Sequence, residues 1–240
     1  MPSKVSYAVL GWGAPGDDPR NPWFSWSYVS QNTDTLLAAL REHLLLTLAA
    51  VAVATVIAIP LAVLAYRVGS LTGPILGFTG VLYTIPSLAL FAFLAPFTGI
   101  TPTTVLIGLI LYALLTVVRN TLTGLRQVPA EVLDAARGMG YGRGALLWRI
   151  ELPLAMPGIL TGLRIATVST VALVTVGEIV GFGGLGNLII GGFNANFYRP
   201  QIMTATLLCP LDQRLGAGVD RAGRLVEDED ARLGQERPRD

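Results

Sequence analysis

Side chains able to carry reactions are few in this 240-residue chain, and they lie far apart. Cys209 is the only cysteine and His43 the only histidine. An intrachain disulfide, a cysteine zinc cluster and a multi-histidine metal site are therefore out of reach, and no metal is expected. The run GFGGLG, Gly181–Gly186, formally matches a dinucleotide fingerprint. Such a loop binds pyrophosphate only between a strand and a helix. No GxxxxGK[ST] run is present, so any ATP must be handled by another chain. Glu178 stands alone, with no charged residue between it and Arg164.

The elements that must position these groups are set by charge. Apolar residues make up 52% of the chain and charged ones 14%, against about 25% in an ordinary globular domain. From Val68 to Val118 there is no Asp, Glu, Lys, Arg or His. A water-soluble domain does not tolerate that, and lipid is the expected surrounding. A net charge of +1 provides no field for nucleic acid, which is not expected as a partner. A helix needs about 20 apolar residues to cross the hydrocarbon. The pattern predicts an all-α, polytopic membrane helix bundle with spans near 44–66, 75–95, 104–118 and 157–180, and an incomplete fifth at 201–209. Pro60 should kink the first span and Pro86 bend the second. The uncharged, glycine-rich 181–198 reads as a re-entrant or interfacial connection.

Arginines orient the bundle. Arg119, Arg126, Arg137, Arg143 and Arg149 fall between the third and fourth spans, which places 119–156 in the cytoplasm. Residues 1–35 become an external N-terminal segment, although Lys4 and Arg41 count against it. His43 falls at the outer edge of the first span, as an interfacial residue. Residues 210–240 interleave arginines and acids with Gly and Ala, and read as a disordered or frame-shifted tail. Glu178, near the outer end of the fourth span, is either hydrated at the interface or placed on a translocation path.

The cytoplasmic interval is longer than a bundle connection needs. VPAEVLDAAR, residues 128–137, has Pro129 at a helix start, Glu131 and Asp134 in its first turns, and alanines after them. Glycines at 138, 140, 142 and 144 follow, and a second short helix is expected over 145–151, ending at Leu152-Pro153. Within it, DAARGMGYGRGALLWRIELP resembles the loop signature of ATP-binding cassette importer permeases. That signature is Glu-Ala-Ala, then Gly after three residues, then Ile-x-Leu-Pro after nine more. Asp134, Ala135, Ala136, Gly140, Ile150, Leu152 and Pro153 occupy its positions, with Asp for Glu at 134 the one departure. The segments 82–100, 111–125 and 135–140 are most similar to permeases for osmoprotectants such as glycine betaine, choline or carnitine. The likeness runs over about 36–206, within the expected transmembrane domain at 36–209.

The resemblance implies a permease subunit of the plasma membrane that is not an enzyme and needs no cofactor. ATP would be bound by separate ATPase subunits. A second permease copy or paralogue and an external substrate-binding protein would complete the assembly. The Asp134–Gly140 helix would lie in a cleft on the ATPase, with Asp134 capping backbone N–H groups or meeting a partner cation. Permeases for amino acids share the architecture and are the alternative. A membrane enzyme would need clustered acids, histidines or serines near one face, and a scaffold subunit would show no response to substrate.

Overall fold

The computed structural model describes residues 21–210, so the tail from 211 onward and residues 1–20 lie outside it. No strand occurs among the described residues. A short α1 (Trp26–Gln31) is capped by Ser25, whose hydroxyl accepts the Tyr28 N–H at 3.3 Å. α2 (Thr33–Arg67) then runs for 35 residues, about 52 Å at 1.5 Å per residue. It begins well before the apolar run at 44–66, because its polar first turns continue the helix past the hydrocarbon. Pro60 lies inside it.

Ala50, Ala54, Ala58 and Ala62 form an i, i+4 ridge with no exposed area. On that ridge sit Ala113, Leu114, Val117, Val118 and Leu122 of α5 (Pro102–Arg126) and Ala166 of α8 (Leu152–Val174). Side chains this small let the three helices approach closely, the usual basis of packing in lipid. α5 and α8 pack tightly at Gly124 and Gly158, where a Cβ on Gly158 would stand 2.8 Å from the Gly124 Cα.

The region expected as one span at 75–95 is instead two helices, α3 (Gly69–Thr84) and α4 (Ser87–Thr98), bent by 95°. Pro86 causes the break. It has no N–H for the Leu82 carbonyl, and it pushes the preceding residue out of the helical region. Ile85 is accordingly extended (φ −65°, ψ 127°). Its carbonyl accepts the Tyr112 hydroxyl of α5, so the break does not leave that oxygen bare. Three helices are long and apolar enough to cross a membrane, or four if the bent pair counts as one span.

The fourth span also departs from expectation. No helix ends at Leu152-Pro153. α6 (Ala130–Gly138) is followed by a helix running unbroken from Arg143 to Val180: α7 (Arg143–Leu146), a π turn (Leu147–Glu151), α8, and a 3-10 turn (Thr175–Val180). The π turn directly precedes Pro153 in the first turn of α8. A widened turn admits a proline ring with less crowding of the preceding carbonyls.

Beyond Val180 the glycine-rich connection leads into α9 (Leu185–Asn194), and a further helix spans 199–210. The N-terminal segment is tied to its start. The Arg199 N–H donates to Asn21 Oδ1 at 2.8 Å, Asn21 Nδ2 donates to the Phe197 carbonyl at 2.9 Å, and the Arg199 guanidinium lies 4.8 Å from the Trp23 ring centroid. Two identical substitutions test the close packing. Gly158→Ala, forced against α5, should cost about 1–3 kcal/mol. Gly77→Ala on α3, where a Cβ meets nothing within 4 Å, should stabilise slightly, alanine being about 1 kcal/mol the better helix former. Thermal unfolding of the detergent-solubilised protein should show the two midpoints moving in opposite directions.

Candidate functional site

Pro129 starts α6 from an extended conformation, Glu131 sits in its first turn and Arg137 in its last, both complementing the helix dipole. Its inner face is sealed. Leu133 and Ala136 pack with Val128 and Leu146, and Tyr141 and Ile150 close the cluster. Past its last residue the helix is closed off by Gly140, which has φ +86°, a backbone conformation costly for residues with a Cβ. The Gly140 N–H reaches the Arg137 carbonyl at 3.0 Å and the Tyr141 N–H reaches that of Ala136 at 3.1 Å. These two bonds are a Schellman closure, and Tyr141 adds the apolar contact that accompanies one. Space plays no part at Gly140, since a Cβ there would meet nothing within 4 Å.

The outer face of α6 is open. Ala135 is exposed, flanked at helical spacing by Val132 (40% exposed) and Met139 (70%). Asp134 is also exposed and bonds Arg137 at 2.8 Å, rather than a backbone N–H. A surface pair of that kind holds weakly.

The seven signature residues therefore divide. Ala136 and Ile150 seal from within the elbow that α6 and α7 form about Gly140, while Asp134 and Ala135 face outward and Gly140 turns the chain. Leu152 belongs to a second cluster with Leu125, Ala155 and Ile159, joined by Ile59, Val63 and Tyr66 of α2. Pro153, exposed, opens α8.

The position left open in Ile-x-Leu-Pro is the residue that sequence reasoning missed. Glu151 is 1% exposed, and its Oε2 accepts the Arg67 guanidinium at 2.6 Å. The same Arg67 nitrogen donates to the Arg143 carbonyl at 3.1 Å. The signal was present: a single arginine closes the first apolar run, and an acid stands just before the last proline of the loop.

Glu178 is not brought to the elbow. It lies half-buried in the 3-10 turn beyond α8, whose 23 residues span about 35 Å. Gly183 packs on its backbone and Cβ. His43 is at the same end, enclosed by protein rather than exposed at the bundle's edge. It has no exposed area, and its Nε2 is 3.1 Å from the Val171 carbonyl. The glycine-rich turn covers it, with Gly184 (φ +54°) so close that a Cβ would meet the His43 Cβ at 2.7 Å. The GFGGLG array thus packs a turn onto α2 and the 3-10 segment, and Asn187 Oδ1 accepts the Gly183 N–H at 2.9 Å. No group of three His, Cys, Asp or Glu gathers among the described residues.

Residues 37–211 match the family model of the binding-protein-dependent transport system inner membrane component. The chain belongs to this family. It is 34% identical over 177 residues to a carnitine transport permease protein, OpuCB, of Listeria monocytogenes, covering 74% of this chain and 80% of that one. A glycine betaine/carnitine/choline transport system permease, OpuCD of Bacillus subtilis, is 38% identical over 169 residues (70% and 74%). An osmoprotectant import permease, OsmW of Salmonella typhimurium, is 35% identical over 189 (77% and 88%). Among solved structures, an inward-facing MetNI methionine ABC transporter chain superposes with a TM-score of 0.75 at 22% identity, covering 82% of this chain and 98% of that chain. The shared fold is thus that of an ABC importer permease.

As such a permease, the chain is a multi-pass membrane subunit and not an enzyme, and ATP hydrolysis belongs to a separate subunit. Its elbow makes a conformational demand that can be checked locally. Gly140→Val should cost about 1–2 kcal/mol by forcing a β-branched residue to positive φ. Gly144→Val, within α7 and with nothing within 4 Å of its Cβ, should not. Hydrogen exchange should speed up at the Gly140 and Tyr141 amides in the first variant alone.

Proposed function

We propose that this permease imports a small quaternary-ammonium osmolyte, such as glycine betaine, choline or carnitine, and that the elbow around α6 is where a partner ATPase engages. The observation that carries the reading is the division of α6 into two faces. Ala136 and Leu133 are sealed within the elbow, while Val132, Ala135 and Met139 stand uncovered along one line. An apolar stripe on a short, firmly closed helix suits a partner's groove, and the small side chain at 135 keeps the approach close. Three relatives named for carnitine, for glycine betaine, carnitine and choline, and for osmoprotectants support the substrate class.

Arg67 and the arginines at 119, 126, 137, 143 and 149 cluster at the elbow end, which supports a cytoplasmic elbow and an external N-terminal segment. A second permease copy or paralogue would complete the pathway, and an external binding protein would deliver the solute. Glu178, at the end opposite the elbow, is a carboxylate suited to a passing cation.

Reconstituted complex should take up labelled choline or glycine betaine in an ATP-dependent manner. Uptake of amino acids alone would overturn the substrate class. Ala135→Arg should leave the permease folded yet abolish co-purification of the ATPase, and unchanged co-purification would remove the elbow from the contact. Glu178→Gln should raise KM for uptake several-fold with the ATPase still bound. An unchanged KM would take Glu178 off the path.

A further inference from the structure

We propose that the ion pair between Arg67 and the buried Glu151 is the strut through which movement of the elbow reaches the transmembrane bundle, both residues being positioning residues for transport. The inference rests on the reading of the elbow as the ATPase contact. Three features lead to it.

The first is the geometry. Arg67 is the last residue of α2, where the helix dipole favours a cation. One of its nitrogens bonds both Glu151 Oε2 and the Arg143 carbonyl. Arg143 and Glu151 are the first and last residues of the α7 and π-turn segment, so a single guanidinium from α2 clasps that segment at both ends.

The second is mechanical. The elbow cluster of Val128, Leu133, Ala136, Leu146, Tyr141 and Ile150 contains no residue of α2. Its Ile150 lies in the π turn that precedes α8, the kind of distortion at which helices give way. A push on α6 passes through Leu146 and Ile150 into that turn and would dissipate there. Glu151, at its end, hands the displacement across to α2 and so to the alanine ridge against α5.

The third is energetic. Burying the Glu151 carboxylate, with the Arg67 side chain still 23% exposed, costs desolvation that the attraction between the two only partly offsets, and an apolar pair of similar volume commonly serves stability as well. A pair with one member 1% exposed is thus poorly explained as a stabilising device. It does fix a geometry, because the carboxylate must meet the guanidinium or remain buried without a counter-charge.

The test uses the assembled permease, ATPase and binding protein in lipid vesicles, followed by hydrogen exchange with and without a non-hydrolysable ATP analogue. Uptake of labelled glycine betaine per ATP hydrolysed is measured in parallel. In the wild type, nucleotide should change exchange in both α6 and the last turns of α2. In Glu151→Gln the α6 response should persist and the α2 response vanish, with basal ATPase within twofold and uptake per ATP down at least tenfold. Arg67→Glu should be equally impaired, and the swap Arg67→Glu with Glu151→Arg should restore both readouts to within threefold. An α2 response in Glu151→Gln equal to the wild type overturns the strut. So does loss of assembly in both Glu151→Gln and the swap, which would make the pair a structural clamp. If nucleotide leaves α6 of the wild type unchanged, the elbow is not the ATPase contact, and that reading fails together with the strut.

Discussion

A backbone N–H or C=O without a partner in hydrocarbon costs several kcal/mol, and this constraint governs the rest of the molecule. Helices satisfy it internally, which is why every regular element among the described residues is helical. The places where helix stops are then the informative ones, because each must be capped by something else. Pro86 frees a turn of carbonyls between α3 and α4, and the Tyr112 hydroxyl takes one of them at Ile85. Past Val180, the chain leaves its helix through Gly181, whose N–H bonds the Glu178 carbonyl at 2.7 Å, and Asn187 bonds the same turn through Gly183. Irregular backbone survives at these points because a neighbouring side chain supplies the missing partner.

Lipid tails are as apolar as leucine, so burial alone does not hold helices together there; closeness of packing must. Hence the ridge Ala50, Ala54, Ala58 and Ala62, and the near contact of Gly124 with Gly158. α5 lies at the centre of this packing, with α2, α3, α4 and α8 around it. The two ends of the bundle differ in chemistry. One gathers the N-terminal segment, His43, Glu178 and the glycine-rich turn; the other gathers Arg67, Glu151 and the elbow.

At the elbow end the governing forces change from lipid to water. α6 is a short amphipathic helix whose inner face has its own small core and whose outer face has none. Its terminus is set by one glycine at positive φ and by two backbone bonds that follow from it. Three signature positions are therefore explained by the elbow's own folding: Ala136, Gly140 and Ile150. Asp134 and Ala135 have no such internal explanation.

Much of this was legible without coordinates. Hydrophobic length and the absence of charge over 68–118 are sufficient for a membrane helix bundle, since crossing hydrocarbon demands both. The spacing from Asp134 to Pro153 located the elbow, because chain-local geometry such as a glycine closure needs only neighbours in sequence. Contacts between distant residues were not legible. The burial of His43 beneath Gly184, the continuity of the helix through Pro153, and above all the meeting of Arg67 with Glu151 across 84 positions of chain depend on how helices pack. A residue's type states what it can bond; which partner comes within 3 Å is settled only when the bundle closes.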